Sequence, residues 1–485
     1  MQMSRSDIED RLEQCLFYLP KKKRLCRFQP KPGRKYCPEH ECITGVSIDR
    51  KRIPCPLNSS HNCYEDNLEK HLKKCNVAKI QTATQQETYY VKGINQGVDD
   101  NSSSTVEKVC VKDLTPESLF LLIDKVNELY KVHVGTAIET TILKHPCVCE
   151  ELGPSDEDIE NTLAQHKALG KELLQQASLV GQLDQLGLLC SSTCFVELGA
   201  GKGKLSHWIQ KATKKVVDNS FVLVERGSVR YKMDSFHKLG GEESKFIRIK
   251  TDIENLHLGS VEAVRDPVVV VGKHLCGGAT DMGLRCALNT LNQSPSSTTA
   301  QSHTLHTKTN KSEQEDLNIK TEKLKEDFVH RLPKGIMIAL CCHHQCSWST
   351  YVGKDFMLNI GLSPAEFDLL TRLSSWATCA KVTSKSLRHA DLHSQSAHQV
   401  STDDNLLQAE LIEPNLEDLV SFSSRPLQRE QLTVQQREDI GRKCKRLIDA
   451  GRQHFLTTKG MKCFFREYID EKVTPENVVL IAIRE

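Results

Sequence analysis

From residue 191 onward, short apolar runs alternate with longer segments whose apolar positions recur every three to four residues. The runs are Cys194–Leu198, Phe221–Val224, Phe246–Lys250, Pro267–Gly272 and Gly335–Leu340. Runs so short and so poor in charge predict strands buried on both faces, and helical spacing between them predicts crossovers joining parallel neighbours. Two more runs, Lys462–Tyr468 and Asn477–Ile483, stand close enough to form a terminal antiparallel pair. The pattern therefore predicts an α/β domain over 191–485 built on a seven-stranded sheet. Polar residues gather where the runs end, at Glu197, Glu225, Asp252, Lys273 and His343. Ligands of parallel sheets bind beyond those carboxyl ends.

Upstream, Thr115-Pro-Glu-Ser118 is a helix start, with Pro116 inside the first turn. Leu119, Leu122, Ile123, Val126, Leu129 and Tyr130 follow at helical spacing. A second helix is predicted around Ile159 to Leu183, so 113–190 reads as a helical segment. Residues 79–112 are polar and read as a linker. Two low-complexity stretches, 293–327 and 384–424, carry no sustained apolar period and are expected to be surface insertions.

The first strand runs straight into a glycine-rich turn and a helix: Cys194-Phe-Val-Glu-Leu-Gly-Ala-Gly-Lys-Gly-Lys-Leu-Ser-His-Trp-Ile209. Gly199, Gly201 and Gly203 let a ligand approach the backbone where side chains would collide. Glu225 ends the next strand, 22 residues beyond Gly203, in place to accept hydrogen bonds from ribose hydroxyls. This order predicts an adenosine-containing cofactor. Gly-x-Gly-x-x-Gly, the commoner dinucleotide spacing, is absent.

Before residue 76 stand two groups of four ligand-type residues. Cys15, Cys26, Cys37 and His40 fall in 10–45, and Cys55, His61, His71 and Cys75 in 52–78. Segments too small for a core can be folded by zinc held in a tetrahedron of thiolates and imidazoles. His71 and Cys75 are four apart on a short predicted helix, hence on one face. Cys42 and Cys63 are spare thiols nearby, so the ligand sets stay open to exchange.

Composition sharpens this picture in two places. The 65 Lys and Arg nearly balance 63 Asp and Glu, so overall charge predicts no polyanion partner. Locally, Lys21–Arg24, Arg27, Lys31, Arg34, Lys35 and Arg50–Arg52 make the fingers basic, which suits nucleic-acid phosphates, although such a run is more often a solvated face. Twenty cysteines without a signal peptide read as thiols and metal ligands of an intracellular protein, cytoplasmic or nuclear. No stretch is long enough to span a bilayer. Oligomeric state is not legible, and a monomer is assumed.

The acidic-x-Gly-x-Gly-x-Gly run resembles motif I of the Rossmann-like methyltransferases that use S-adenosylmethionine. The whole chain is similar to the eukaryotic tRNA ribose 2′-O-methyltransferases that modify nucleotide 4 of the acceptor stem. The resemblance spans both fingers, Val196–Gly203, Gly272-Lys-His-Leu-Cys-Gly277 and Cys341-Cys-His-His344. It implies that Glu197, Gly199, Gly201 and Gly203 hold the methionine end of the cofactor, Glu225 its ribose and Asp252 its adenine edge. It also implies two structural zinc sites and the tRNA acceptor stem as partner.

A ribose hydroxyl needs a base or a cation to assist loss of its proton. Lys273 and His274 stand where related enzymes carry an aspartate, so Lys273 is the expected base, assisted by His274 or His343. Arg466 and Tyr468 are candidate substrate contacts. Cys341, Cys342, His343, His344 and Cys346 could include metal ligands, but neighbouring residues on a strand face opposite ways, which argues against one shared ion. Competing readings are a zinc-finger methyltransferase of another RNA or of protein, and a non-catalytic RNA-binding adaptor.

Overall fold

The computed structural model describes residues 14–19, 24–44, 52–97, 111–135, 137–151, 153, 167–214, 218–227, 245–289, 332–378 and 432–485. The expected insertions at 293–327 and 384–424 lie outside these residues, as do Lys21–Lys23, Arg50 and Lys51. The chain divides into two compact units, Met1–Glu87 and Thr88–Glu485.

The first unit contains β1 (Tyr18–Leu19), β2 (Arg24–Leu25), α1 (Pro38–Thr44), β3 (Arg52–Cys55), β4 (Asn58–Tyr64), α2 (Leu68–Lys74) and α3 (Asn76–Gln85). Strands β1 and β2 pair antiparallel, as do β3 and β4. The first finger is centred on Cys15, Cys26 and Cys37, with Phe17, Leu19 and Tyr36 packed around them. Three thiols and a few flanking side chains are far too little apolar surface to fix a fold unaided.

The second unit runs α4 (Pro116–His133), β5 (Glu139–Thr140), α5 (Pro146–Cys149), α6 (Lys167–Gln185), β6 (Cys194–Leu198), α7 (Lys204–Ala212), β7 (Ser220–Val224) and β8 (Lys245–Ile249). It continues with β9 (Val268–Gly272), α8 (Gly278–Leu288), β10 (Gly335–Ala339), α9 (Lys354–Asn359), α10 (Pro364–Ser374), α11 (Val434–Thr458), β11 (Met461–Glu467) and β12 (Val478–Arg484). The sheet order is β5-β11-β12-β10-β9-β6-β7-β8. Neighbours from β10 to β8 are parallel, and β12 lies antiparallel between β10 and β11.

The seven strands expected from the apolar runs are all present, but the sheet has eight. The addition is β5, two residues paired parallel with Arg466 and Glu467. Glu139 and Thr140 are exposed and polar, so no apolar signal marks them.

Strands β6, β7, β9 and β10 are buried at every position. Alternate side chains feed two cores, as the pleat requires. Val196, Val222, Val270, Ile338 and Leu480 face α8 residues Leu284 and Ala287. Phe195, Phe221, Val271, Met337 and Ile481 face Leu179 and Leu183 of α6 and Leu205 and Ile209 of α7. Each such aliphatic side chain is worth roughly 1.5–3 kcal/mol of burial, so covering both faces stabilises the whole run. A third core joins Leu119, Leu122, Ile123 and Val126 of α4 to Phe367 and Leu370 of α10 and Leu447 and Ile448 of α11.

The segment read as helical over 113–190 is therefore shared out: α4 serves the third core and α6 covers the sheet. The stretch read as a linker over 79–112 also carries structure. Beyond α3, Asn95 is fully buried and its Nδ2 donates to the carbonyls of Ile253 and Leu256. Among the described residues no helix is long and apolar enough to cross a membrane.

Candidate functional site

Strand β6 has β7 on one side and β9 on the other, so consecutive connections leave it in opposite directions, and the crevice beyond its carboxyl end is the switch point of the sheet. The glycine turn sits there. Gly199, Gly201 and Gly203 all have positive φ, of 65°, 50° and 76°. A β-carbon on Gly201 would meet no heavy atom within 4 Å, so open space lies over that peptide. The left-handed backbone needs glycine even before any ligand is considered.

The turn is held from two neighbouring strands. Glu225 Oε2 accepts from the amide of Gly201 at 2.9 Å, and its Oε1 accepts from Gly227 at 2.6 Å. Arg248 of β8 donates to the Gly201 carbonyl at 3.0 Å, a contact that sequence reasoning missed. Its only signal was a charge at an inner position of the strand. Asp252 opens a short turn, accepting from the amide of Glu254, and faces Arg226 at 3.4 Å.

Glu197 is 4% exposed, and its Oε2 accepts from the backbone amide and hydroxyl of Ser206 near the start of α7. Burial pushes its carboxyl up to about 7 despite those hydrogen bonds and the nearby charges of Arg248 and Lys273. Lys273 is buried at the end of β9. Burial draws its ammonium down from the usual lysine range, Glu172 opposes that shift, and Lys204 adds to it. His274, beside it, is exposed at its side chain, and partial desolvation followed by the Lys273 charge lowers its pKa. Glu197, Lys273 and His274 thus stand together at the ends of adjacent strands β6 and β9.

His343 is placed differently. Its ring is 1% exposed and its Nε2 lies 2.7 Å from Asp449 Oδ1 on α11. Asp449 also meets Arg446 and Arg452, and Arg452 pairs in turn with Asp281 of α8 at 2.8 Å. Burial lowers the His343 pKa against the pull of Asp449. This ring has no surface open to a substrate. It fixes the turn after β10, as does Cys346, whose sulfur accepts from Arg452 at 3.1 Å. Arg466 is tied to Gln182, Gln185 and Glu139, and Tyr468 is 2% exposed, so Tyr468 has almost no surface to offer a substrate.

The two fingers bring their expected ligands together. Cys15, Cys26, Cys37 and His40 place their donor atoms within 4.8 Å of one another, as do Cys55, His61, His71 and Cys75. His40 turns Nδ1 toward Cys15 and Cys37, at 3.4 and 3.3 Å, with Phe17 stacked on its ring. His61 and His71 meet through Nε2 at 3.2 Å. Three thiols with one imidazole, and two with two, are donor sets that fit zinc. The spare Cys63 stands outside the second set, its thiol pushed up by burial. Of the basic positions described here, Arg27, Lys31 and Lys35 are exposed, whereas Arg34 pairs with Glu41 at 3.0 Å. Arg52 donates to the Asn62 carbonyl and lies over the Tyr64 ring.

Comparison with known proteins agrees with this division. Residues 13–41 match the CCCH zinc finger in TRM13 protein, and residues 52–76 match the U11-48K-like CHHC zinc finger. Residues 174–483 match Methyltransferase TRM13. The chain is 36% identical over 479 residues to the tRNA:m(4)X modification enzyme TRM13 homolog of Mus musculus, covering 97% of this chain and 94% of that protein. The Homo sapiens homolog is 35% identical with the same coverage. The Saccharomyces cerevisiae tRNA:m(4)X modification enzyme TRM13 is 26% identical, covering 97% and 96%. No solved structure matches. With its catalytic body and both fingers matched in order, the chain belongs to the TRM13 family of methyltransferases.

Proposed function

We propose that this chain transfers a methyl group from S-adenosylmethionine to the ribose 2′-hydroxyl of nucleotide 4 in the tRNA acceptor stem. The reading is carried by one combination: a glycine turn clamped by Glu225 at the switch point, on a chain that also bears two zinc fingers. Relatives along almost its whole length are named tRNA:m(4)X modification enzymes. The strand order β8-β7-β6-β9-β10-β12-β11, with β12 antiparallel, supports a Rossmann-like class I methyltransferase body.

The cofactor supplies an electrophilic methyl group. Open space over Gly201 and the two acceptor oxygens of Glu225 suit its nucleoside, with Asp252 at the adenine edge and Glu197 and the glycine turn toward its methionine end. Lys273 takes the proton from the attacking hydroxyl at Nζ, a role helped by its lowered pKa, and His274 at the mouth passes that proton to solvent. His343 positions the adjoining turn and moves no proton. The zinc fingers hold the acceptor-stem backbone with Arg27, Lys31 and Lys35. The chain acts as an intracellular monomer.

The test is transfer of labelled methyl to tRNA lacking the modification, followed by mapping of the label. Label on the 2′-oxygen of nucleotide 4 is expected. Label on a base, or on protein alone, overturns the reading.

A further inference from the structure

Beside the methyl-transfer residues lies a third group of converging sulfurs. Cys276, Cys341 and Cys342 place their sulfurs within 4.8 Å of one another, the same closeness that defines the two finger sites. Cys276 and Cys341 approach to 3.6 Å. With zinc–sulfur bonds of about 2.3 Å, the edge of a tetrahedron of thiolates is about 3.8 Å, so this spacing admits an ion with little movement.

Alternation along a strand would keep Cys341 and Cys342 apart, but β10 ends at Ala339, before either of them. Cys342 takes the left-handed conformation, φ 51° and ψ 42°, unfavourable for a side chain of this kind. That turn brings its sulfur to the same side as that of Cys341. Observed strain of this sort marks a position that the surroundings impose.

The scaffold around the three thiols is fixed independently. Gly277 has φ 57°, and a β-carbon there would collide with the Gln345 carbonyl, so the loop after β9 rests directly on the turn after β10. That turn is anchored through His343 to Asp449 and through Cys346 to Arg452. Cys341 is buried, while Cys276 and Cys342 are half-buried, which leaves one side of the cluster open.

We propose that Cys276, Cys341 and Cys342 form a third metal site, binding zinc through three thiolates with a fourth position open to water or another exogenous ligand. Binding releases the thiol protons to solvent as the sulfurs become ligands. The ion braces the loop that carries Lys273 against the end of β10. Three protein ligands with one open position differ from the closed sets of the fingers.

Zinc counted per chain on the reduced full-length protein decides the matter without reference to activity. Three equivalents are expected, falling to two in Cys276→Ser and in Cys342→Ser while far-UV circular dichroism is retained. In the cobalt-substituted protein, thiolate-to-metal charge-transfer absorption should fall by the share of these three among the eight clustered cysteines. Two equivalents in the unaltered chain overturn the site, whatever the variants do. A Cys276–Cys341 disulfide in place of the third ion overturns it equally.

Discussion

Glu225 Oε2 lies 2.9 Å from the amide of Gly201, so a carboxylate at the end of one strand holds the turn that follows its neighbour. The same oxygens are those assigned to the cofactor's ribose. On the proposed function, shape of the turn and affinity for the nucleoside are coupled through one side chain. Glu225→Ala should weaken S-adenosylmethionine binding at least about tenfold, since hydrogen bonds to charged groups contribute roughly 1.5–3 kcal/mol each. Calorimetric titration checks this, and unchanged affinity would detach Glu225 from the cofactor.

Lys273→Met should leave cofactor affinity near normal and lower kcat by about 100- to 10000-fold, the usual worth of a positioned acid or base. The lysine must be neutral to accept a proton, so kcat should rise with pH and level off below the ordinary lysine range, because burial lowers this pKa. The rising limb should vanish in the variant. A pH profile identical to that of the parent would remove Lys273 as the base.

Glu197 affects stability with a sign opposite to that of an ion-paired carboxylate. Its folded pKa, about 7, lies above the ordinary 4.5, so the folded state holds its proton more tightly. Stability is fully retained below the ordinary value and declines as pH rises from there through about 7. Above that window the penalty is about 3 kcal/mol. Glu197→Gln should thus gain stability relative to the parent between pH 5 and pH 8, read as a widening difference in Tm. A constant difference would mean that the carboxyl ionises normally.

Loss of the second finger's ion should act on the first unit. His71→Ala should unfold the second finger, weaken tRNA binding by tenfold or more and leave S-adenosylmethionine affinity unchanged. Limited proteolysis and filter binding read the two halves of this outcome. Loss of cofactor affinity instead would place the second finger in the cofactor site.

Much of this was legible along the chain because burial on both faces leaves an unmistakable record: Val268–Val271 are fully buried and wholly apolar. The finger ligands were legible because only a few residue types bind zinc. What could not be read depends on partners remote in sequence. His343 looks like an exposed catalytic histidine until Asp449, 106 residues later, is brought against it. Asn95 sits in a polar stretch, yet its amide satisfies two carbonyls of the sheet body. Strand alternation sets Cys341 and Cys342 on opposite faces, but it ceases to apply once the strand ends at Ala339.

Asp449→Ala should cost roughly 3–5 kcal/mol, the usual penalty for stripping one partner from a buried ion pair. It would leave Arg452 and His343 without their shared acceptor at 0–1% exposure. Denaturant unfolding measures the loss. A cost below about 1 kcal/mol would mean that water enters the site and replaces the carboxylate.

The four-member chain His343–Asp449–Arg452–Asp281 also constrains how this sequence can diverge. A single replacement leaves a buried polar group short of a partner, whereas an apolar set of similar volume can be neutral or better. These positions should change together or not at all. Because two of them sit on one helix and two on separate neighbours, a mutational path crosses a trough of instability between one workable combination and the next.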